Sequence, residues 1–286
     1  MTSAHIKIEE ITAKSVLVKS GLPDTDLVVN PYVGCQFSCA YCYASFMGRF
    51  VGESIADWGK YVYAKTNAVE LFEKELRRVR AKDGRPTIFL SSVTDPYQGV
   101  EKKYRLTRGI VELLAREPYP GRVGILTKSP LVLRDIDLLQ RLPACEVGVT
   151  ITTDEDRLGR ELEAFAPAAS ARLETLSALN AANVETYAFI GPLLPYYAES
   201  PDKLERLVER IARTGVREAY VEHLNPSRYI AQRIEREMAE QAPTRAASLR
   251  RENAVQARAA LEARILSLLE RHGIRLRLGR AIVHSS

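Results

Sequence analysis

The sequence predicts an α/β protein, a parallel sheet with helices packed on its outside. Short apolar runs alternate with segments of helical periodicity along most of the chain, with short connections between them. Apolar residues make up 46% of the 286 residues, enough for a full core. No linker long enough to mark a second domain breaks the rhythm. The expectation is one domain over 1–286, with a core over about 14–225 and a helical C-terminal extension over about 227–286.

Taken in order, residues 6–18 alternate loosely and read as a hairpin or edge strand. Leu27-Val28-Val29 is the first buried strand and runs straight into a cysteine-rich loop. Residues 46–65 are aromatic and irregular, with Trp58, Tyr61 and Tyr63, and read either as cover for a site or as core packing. Thr66 or Asn67 caps a helix to about Ala81, with Val69, Phe72, Leu76 and Val79 at helical spacing. A strand at 86–90, a helix at 106–116 and a strand at 122–126 follow. Ser129-Pro130 opens a helix to about 141, with Pro in the first turn, where its missing N–H costs nothing. A strand at 146–151, a helix at 170–182 and a strand at 184–190 continue the alternation. Ser200-Pro201-Asp202 opens a helix to about 213, and 217–221 is the sixth strand. The tail over 227–272 is mostly helical, with a break at Ala242-Pro243-Thr244.

There are 41 basic and 36 acidic residues, a net charge of +5. The two signs are interspersed, as between Glu70 and Arg80, which fits solvated helix faces better than a nucleic-acid patch. Residues 1–10 lack a signal-peptide pattern. The most apolar later stretch, 187–198, is too short to cross a bilayer and carries Pro192 and Pro195. A cytoplasmic protein with no membrane partner is expected.

Three of the four cysteines, Cys35, Cys39 and Cys42, fall within one loop at C-x3-C-x2-C spacing. Three thiolates so close in sequence suit one face of an iron–sulfur cube and leave one iron open. Structural zinc would want a fourth ligand, and among the residues before Cys42 the only histidine is His5. A disulfide would strand one thiol of the triplet and belongs to secreted proteins. A 4Fe–4S cluster is the reading that uses all three.

With Tyr41 just before the third cysteine, this triplet resembles the radical S-adenosylmethionine (SAM) superfamily. Asn30-Pro31-Tyr32-Val33-Gly34, Tyr41-Cys42-Tyr43-Ala44, Thr94-Asp95-Pro96-Tyr97-Gln98 and Thr127-Lys128-Ser129-Pro130-Leu131 narrow the likeness to its spore photoproduct lyase-related branch. The resemblance implies a partial (β/α)6 TIM-type barrel, into which the six strand–helix units fit. It implies that the open iron binds the amino and carboxylate groups of SAM. An electron from the reduced cluster then cleaves SAM, usually to methionine and a 5′-deoxyadenosyl radical. An electron donor such as flavodoxin or ferredoxin is implied with it.

In a parallel barrel, function collects at the carboxyl ends of the strands. There the sequence offers Asn30, the run 91–95, Thr127-Lys128, Thr150 with Thr152, Gly191-Pro192 and His223. By motif position, Ser92, Thr94 and Asp95 are expected at the SAM amino group, and Lys128 at the carboxylate or ribose. Thr150 and Thr152 are expected at ribose or carboxylate, Gly191 beneath adenine, and Tyr41 and Tyr43 beside the cluster and nucleoside. Each also reads as a turn or cap residue on its own. His223 reads as a proton donor or substrate contact, or as a histidine bonded to Glu222 or a carbonyl.

Members that repair spore photoproduct use an extra cysteine near the end of the second strand; Ser92 stands there. Cys145, ahead of the fourth strand, reads as a buried structural cysteine. No second cysteine cluster and no cobalamin domain accompany the motif. The leading expectation is thus a radical SAM enzyme, a lyase or transferase acting on a small molecule or nucleoside. It would use the 5′-deoxyadenosyl or a 3-amino-3-carboxypropyl radical. The rivals are a DNA-lesion repair lyase and a non-catalytic iron–sulfur binding protein.

Overall fold

The computed structural model describes residues 6–80, 85–225, 227–238 and 249–283. The expected helix end at Ala81 and the break at Ala242-Pro243-Thr244 lie outside the described residues. Two compact units form. The first is Met1–Ser38, Ala44–Gly148 and Ala182–Glu185; the second is Cys39–Tyr43, Val149–Ala181 and Thr186–Ser286. The class is α/β, as expected.

In the first unit, β1 (Lys7–Ile11) pairs parallel with β5 (Tyr61–Lys65), which pairs antiparallel with β4 (Tyr32–Val33). The sequence left β5 inside an irregular stretch because Tyr61, Val62, Tyr63 and Ala64 are all buried. A strand covered on both faces shows no alternation to read. Trp58 packs edge-on against Tyr61 at 6.3 Å and both are buried, so these rings are core, while Phe50 in the same 46–65 stretch is exposed. The main sheet of this unit runs β2 (Leu17–Lys19), β3 (Leu27–Val29), β6 (Ile88–Leu90), β7 (Val123–Thr127). Only β2–β3 is antiparallel among these pairings.

The helices of this unit are α1 (Ala68–Arg80), the single-turn α2 (Glu101–Tyr104) and α3 (Leu106–Arg116). The Asn67 side chain pairs with both backbone groups of Ala13, tying the start of α1 to the N-terminal strands. A helix does open at Ser129-Pro130, with Ser129 accepting the Leu131 N–H, but it is a 3-10 turn over Pro130–Asp135 followed by a short α4 (Ile136–Leu139).

Strand β8 (Cys145–Thr150) passes from the first unit into the second after Gly148. The second unit holds α5 (Asp156–Leu162), α6 (Ala169–Ala181), β9 (Glu185–Leu193) and α7 (Pro201–Ala212). It continues with β10 (Glu218–His223), α8 (Arg228–Met238), α9 (Arg251–Arg271) and β11 (Arg275–Leu276). Strands β9, β10 and β11 pair parallel in that order. Helix α7 lays Leu204, Leu207, Val208 and Ile211 into the core, each fully buried. Such side chains stabilise by about 1.5–3 kcal/mol each. The sequence reading missed α5 and β11, which are too short to show a period. No helix among the described residues is long and apolar enough to cross a membrane.

Candidate functional site

In the first unit, the chain leaves β3 at Asn30 and turns through Gly34 into Cys35. Gly34 has φ +87°, and a Cβ there would sit 2.4 Å from the Tyr61 carbonyl oxygen, so only glycine fits. The segment after β6 grips this loop. The Thr94 hydroxyl donates to the Gly34 carbonyl at 2.6 Å, and Gln98 Nε2 donates to the same oxygen at 3.2 Å. Gln98 Oε1 accepts the Gln36 N–H at 2.9 Å, while Gln36 Oε1 accepts the Val100 N–H at 2.7 Å. Cys35 is thereby bracketed on both sides and only 7% exposed.

Asp95 ties two strand ends together. Its Oδ1 accepts the Thr127 hydroxyl at 2.7 Å and the Tyr97 N–H at 2.9 Å. Its Oδ2 accepts the Lys128 N–H at 2.8 Å. Burial raises its carboxyl above the usual range, and these donors hold the rise in check. Asn30 Oδ1 accepts the Ser92 N–H at 3.1 Å. The sequence expectations for Ser92, Thr94, Asp95 and Lys128 therefore fall on one connected set of strand ends. The Thr94 and Asp95 side chains are engaged in holding it.

In the second unit, Ala40 N–H donates to the Leu162 carbonyl at 2.8 Å, and Cys39 makes a β-bridge with Glu163. The Tyr41 hydroxyl donates to Glu163 Oε1 and lies 3.1 Å from Thr152 Oγ1. Thr152 donates to the Gly191 carbonyl at 2.8 Å. Glu163 Oε2 pairs with Arg172, which also donates to the carbonyls of Pro167 at 2.8 Å and Thr150 at 3.4 Å. Glu163 is 1% and Arg172 2% exposed. Burial opposes the Arg172 charge, and the Glu163 carboxylate more than offsets it, so its pKa is raised. Burial, then the Glu163 charge, keeps the Tyr41 hydroxyl protonated far above the ordinary phenol range.

Tyr41, Thr150, Thr152 and Gly191 thus meet in one network. Glu163 and Arg172, which bind it together, were not anticipated. Arg172 had a signal: it shares the buried face of α6 with Ala169, Leu173, Leu176 and Leu179. A charge on an apolar stripe calls for a buried partner. Glu163 had none. Gly191 lies inside β9 rather than beyond its end, and a Cβ there would meet the Phe189 ring at 2.4 Å. Tyr43 is 52% exposed.

His223, the last residue of β10, is 2% exposed. Its Nε2 lies 3.7 Å from Glu262 Oε2, beyond hydrogen-bond distance, and has no other partner among the described residues. The nearby carboxylate is Glu262 rather than Glu222. Burial lowers the His223 pKa. Cys145 is the buried first residue of β8, and burial pushes its thiol up to about 12.

The donor set fits an iron–sulfur cluster. Cys39 is 6% exposed, as well covered as Cys35 at 7%, and Cys42 is half-buried. No three Cys, His, Asp or Glu side chains among the described residues converge on a point suited to one metal ion. A cube takes its thiolates at separate corners and does not need such convergence.

The family model of the radical SAM superfamily matches residues 29–197. The chain is 36% identical over 193 residues to an uncharacterized protein of Methanocaldococcus jannaschii, covering 68% of this chain and 70% of that one. It is 33% identical over 219 residues to an uncharacterized protein of Mycobacterium tuberculosis, covering 73% of this chain. The chain spans 63% of that mycobacterial relative's length. The chain belongs to the radical SAM superfamily. Among solved structures it is similar to spore photoproduct lyase complexed with dinucleoside spore photoproduct, with a TM-score of 0.72 and 15% identity. The match covers 96% of this chain and 82% of that one. The shared fold is the superfamily's partial barrel of mostly parallel strands.

Proposed function

We propose that this protein is a radical SAM enzyme acting on a small molecule or nucleoside. The observation that carries the reading is the C-x3-C-x2-C loop, with Cys35 and Cys39 buried, the backbone beside Cys35 pinned by the Thr94 and Gln98 side chains and that at Cys39 and Ala40 by the backbone of residues 162–163. Cys35, Cys39 and Cys42 hold a 4Fe–4S cluster as thiolates. Bound there, a reduced cluster would supply the single electron that opens a carbon–sulfur bond of SAM, giving a 5′-deoxyadenosyl radical and methionine, or a 3-amino-3-carboxypropyl radical and methylthioadenosine. The protein's part is binding, orientation and exclusion of quenchers.

Lys128 meets the SAM carboxylate or ribose from the end of β7, Ser92 meets a polar group of SAM from beyond β6, and Thr150 meets one from the end of β8. Thr94, Asp95, Tyr41 and Thr152 serve by fixing the backbone around them. Gly191 keeps β9 close to the nucleoside, and Tyr43 borders it. The similar lyase was solved with a dinucleoside, which supports a nucleoside-type substrate. The reading takes about 14–225 as the catalytic barrel and about 227–286 as its helical extension. It places the protein in the cytoplasm, where thiols stay reduced, with a flavodoxin or ferredoxin as electron donor.

The test is anaerobic purification, reconstitution with iron and sulfide, addition of dithionite and SAM, and mass spectrometry of the SAM fragments. Cluster-dependent 5′-deoxyadenosine with methionine, or methylthioadenosine, lost in Cys39→Ala, is the expected result. An intact cluster whose spectrum does not respond to SAM, with no fragment formed even when candidate nucleosides are supplied, points to an iron–sulfur binding protein instead.

A further inference from the structure

We infer that Glu163 and Arg172 are positioning residues for the cysteine turn, holding Tyr41 and the backbone at Cys39 and setting the electrostatic potential at the cluster. The inference rests on the cysteines being cluster ligands, and it adds two residues that no motif assigns.

Every link is a direct contact. Glu163 bridges to Cys39 through the backbone, and the neighbouring Leu162 carbonyl takes the Ala40 N–H at 2.8 Å. One Glu163 carboxylate oxygen takes the Tyr41 hydroxyl, and the other takes Arg172. Arg172 is anchored by the Pro167 carbonyl at 2.8 Å, so the pair is fixed rather than floating. Both side chains are almost wholly buried. A buried ion pair is poor evidence for stability, since apolar residues of similar size usually serve as well or better. What it supplies is a specified geometry, here for the turn that presents Cys39 and Cys42.

The two charges also act on the cluster. A positive charge near an iron–sulfur centre favours its reduced form, and a negative charge opposes it. Arg172 pairs with the side chain of Glu163, whose backbone bridges to Cys39, so both charges are attached directly at a cluster-ligand position. With Glu163 in place the pair is nearly neutral. Glu163→Gln leaves Arg172 unbalanced and raises the reduction potential. The double variant Glu163→Gln with Arg172→Gln is neutral again and returns toward the wild-type potential. A role confined to stability predicts no such reversal.

The experiment reconstitutes wild type and variants anaerobically and follows the cluster by EPR-monitored redox titration. An upward shift in Glu163→Gln that the double variant reverses supports the inference; a wild-type potential in Glu163→Gln overturns it. If Glu163→Gln does not fold, Tyr41→Phe decides, because it removes only the hydroxyl. Iron release to a chelator roughly tenfold faster than wild type is expected, and a wild-type rate overturns the inference. A wild-type protein that takes up no cluster is a different failure: it overturns the cluster reading and this inference with it.

Discussion

Gln36 and Gln98 clasp each other's stretches of backbone reciprocally across 62 residues of sequence. Gln98 Oε1 accepts the Gln36 N–H at 2.9 Å, and Gln36 Oε1 accepts the Val100 N–H at 2.7 Å. The first cysteine of the motif sits directly beside this clasp. Gln98 is fully buried, so no water replaces a lost partner.

Gln98→Leu should therefore cost about 1–3 kcal/mol of stability, the usual penalty for a buried donor left without its acceptor. It should also lower iron uptake on reconstitution. Urea unfolding and iron analysis check both, and unchanged values in both would remove the clasp from any role in the loop.

Gly34→Ala should be worse tolerated than Gly52→Ala. Both glycines have positive φ, +87° and +77°, but a Cβ at Gly34 meets the Tyr61 carbonyl at 2.4 Å while Gly52 faces open space. The strain common to both is on the order of 1 kcal/mol. The excess at Gly34 is displacement of the cysteine loop, and only that variant should lose cluster. Equal melting temperatures for the two would contradict the steric account.

Stability should fall on mild acidification because of His223. Its pKa is lowered from 6.5 by burial, so the unfolded chain takes up a proton at a pH where the folded protein does not. The stability it contributes is complete above about 6.5 and is lost as the pH falls from there toward the folded value. The slope from this group is at most about 1.4 kcal/mol per pH unit. Urea midpoints from about pH 7.5 to about 5.5 should decline in wild type and flatten in His223→Phe. Parallel curves would remove His223 as the source.

Cys145 should resist alkylation in the native protein. Burial pushes its thiol up to about 12, leaving almost no thiolate near neutral pH. Peptide mass spectrometry after iodoacetamide at about pH 8 should find Cys145 unmodified until urea is added. Rapid native labelling would show that the start of β8 opens readily.

The parts of this molecule legible in its sequence are those with local causes. The cysteine spacing, the apolar run Leu27–Val29 and the Ser129 cap each announce themselves within a few residues. The strand-end positions are legible from their motifs, but the partners of their side chains are not. Thr94 and Asp95 read as ligands in sequence because hydroxyls and carboxylates at barrel strand ends often are. Of the groups that they bond, only the Tyr97 N–H is local; the Gly34 carbonyl, the Thr127 hydroxyl and the Lys128 N–H come from segments too far along the chain to be read locally. Glu163 was invisible because the residue it serves, Tyr41, lies 122 positions away. Strand β5 was hidden by being buried on both faces, which erases the alternation that marks a strand.

The reciprocal glutamines bear on how portable the motif is. Copied as an octapeptide into a maquette or another scaffold, residues 35–42 would bring three thiols and none of the side chains that aim them. Gln36 would travel with the graft, but Gln98, Thr94 and the Val100 N–H would stay behind, and its amide would close on water. The smallest transplantable version of the first cysteine's setting is thus two segments, 34–36 and 94–100, and a design that keeps only the first inherits ligands without an address.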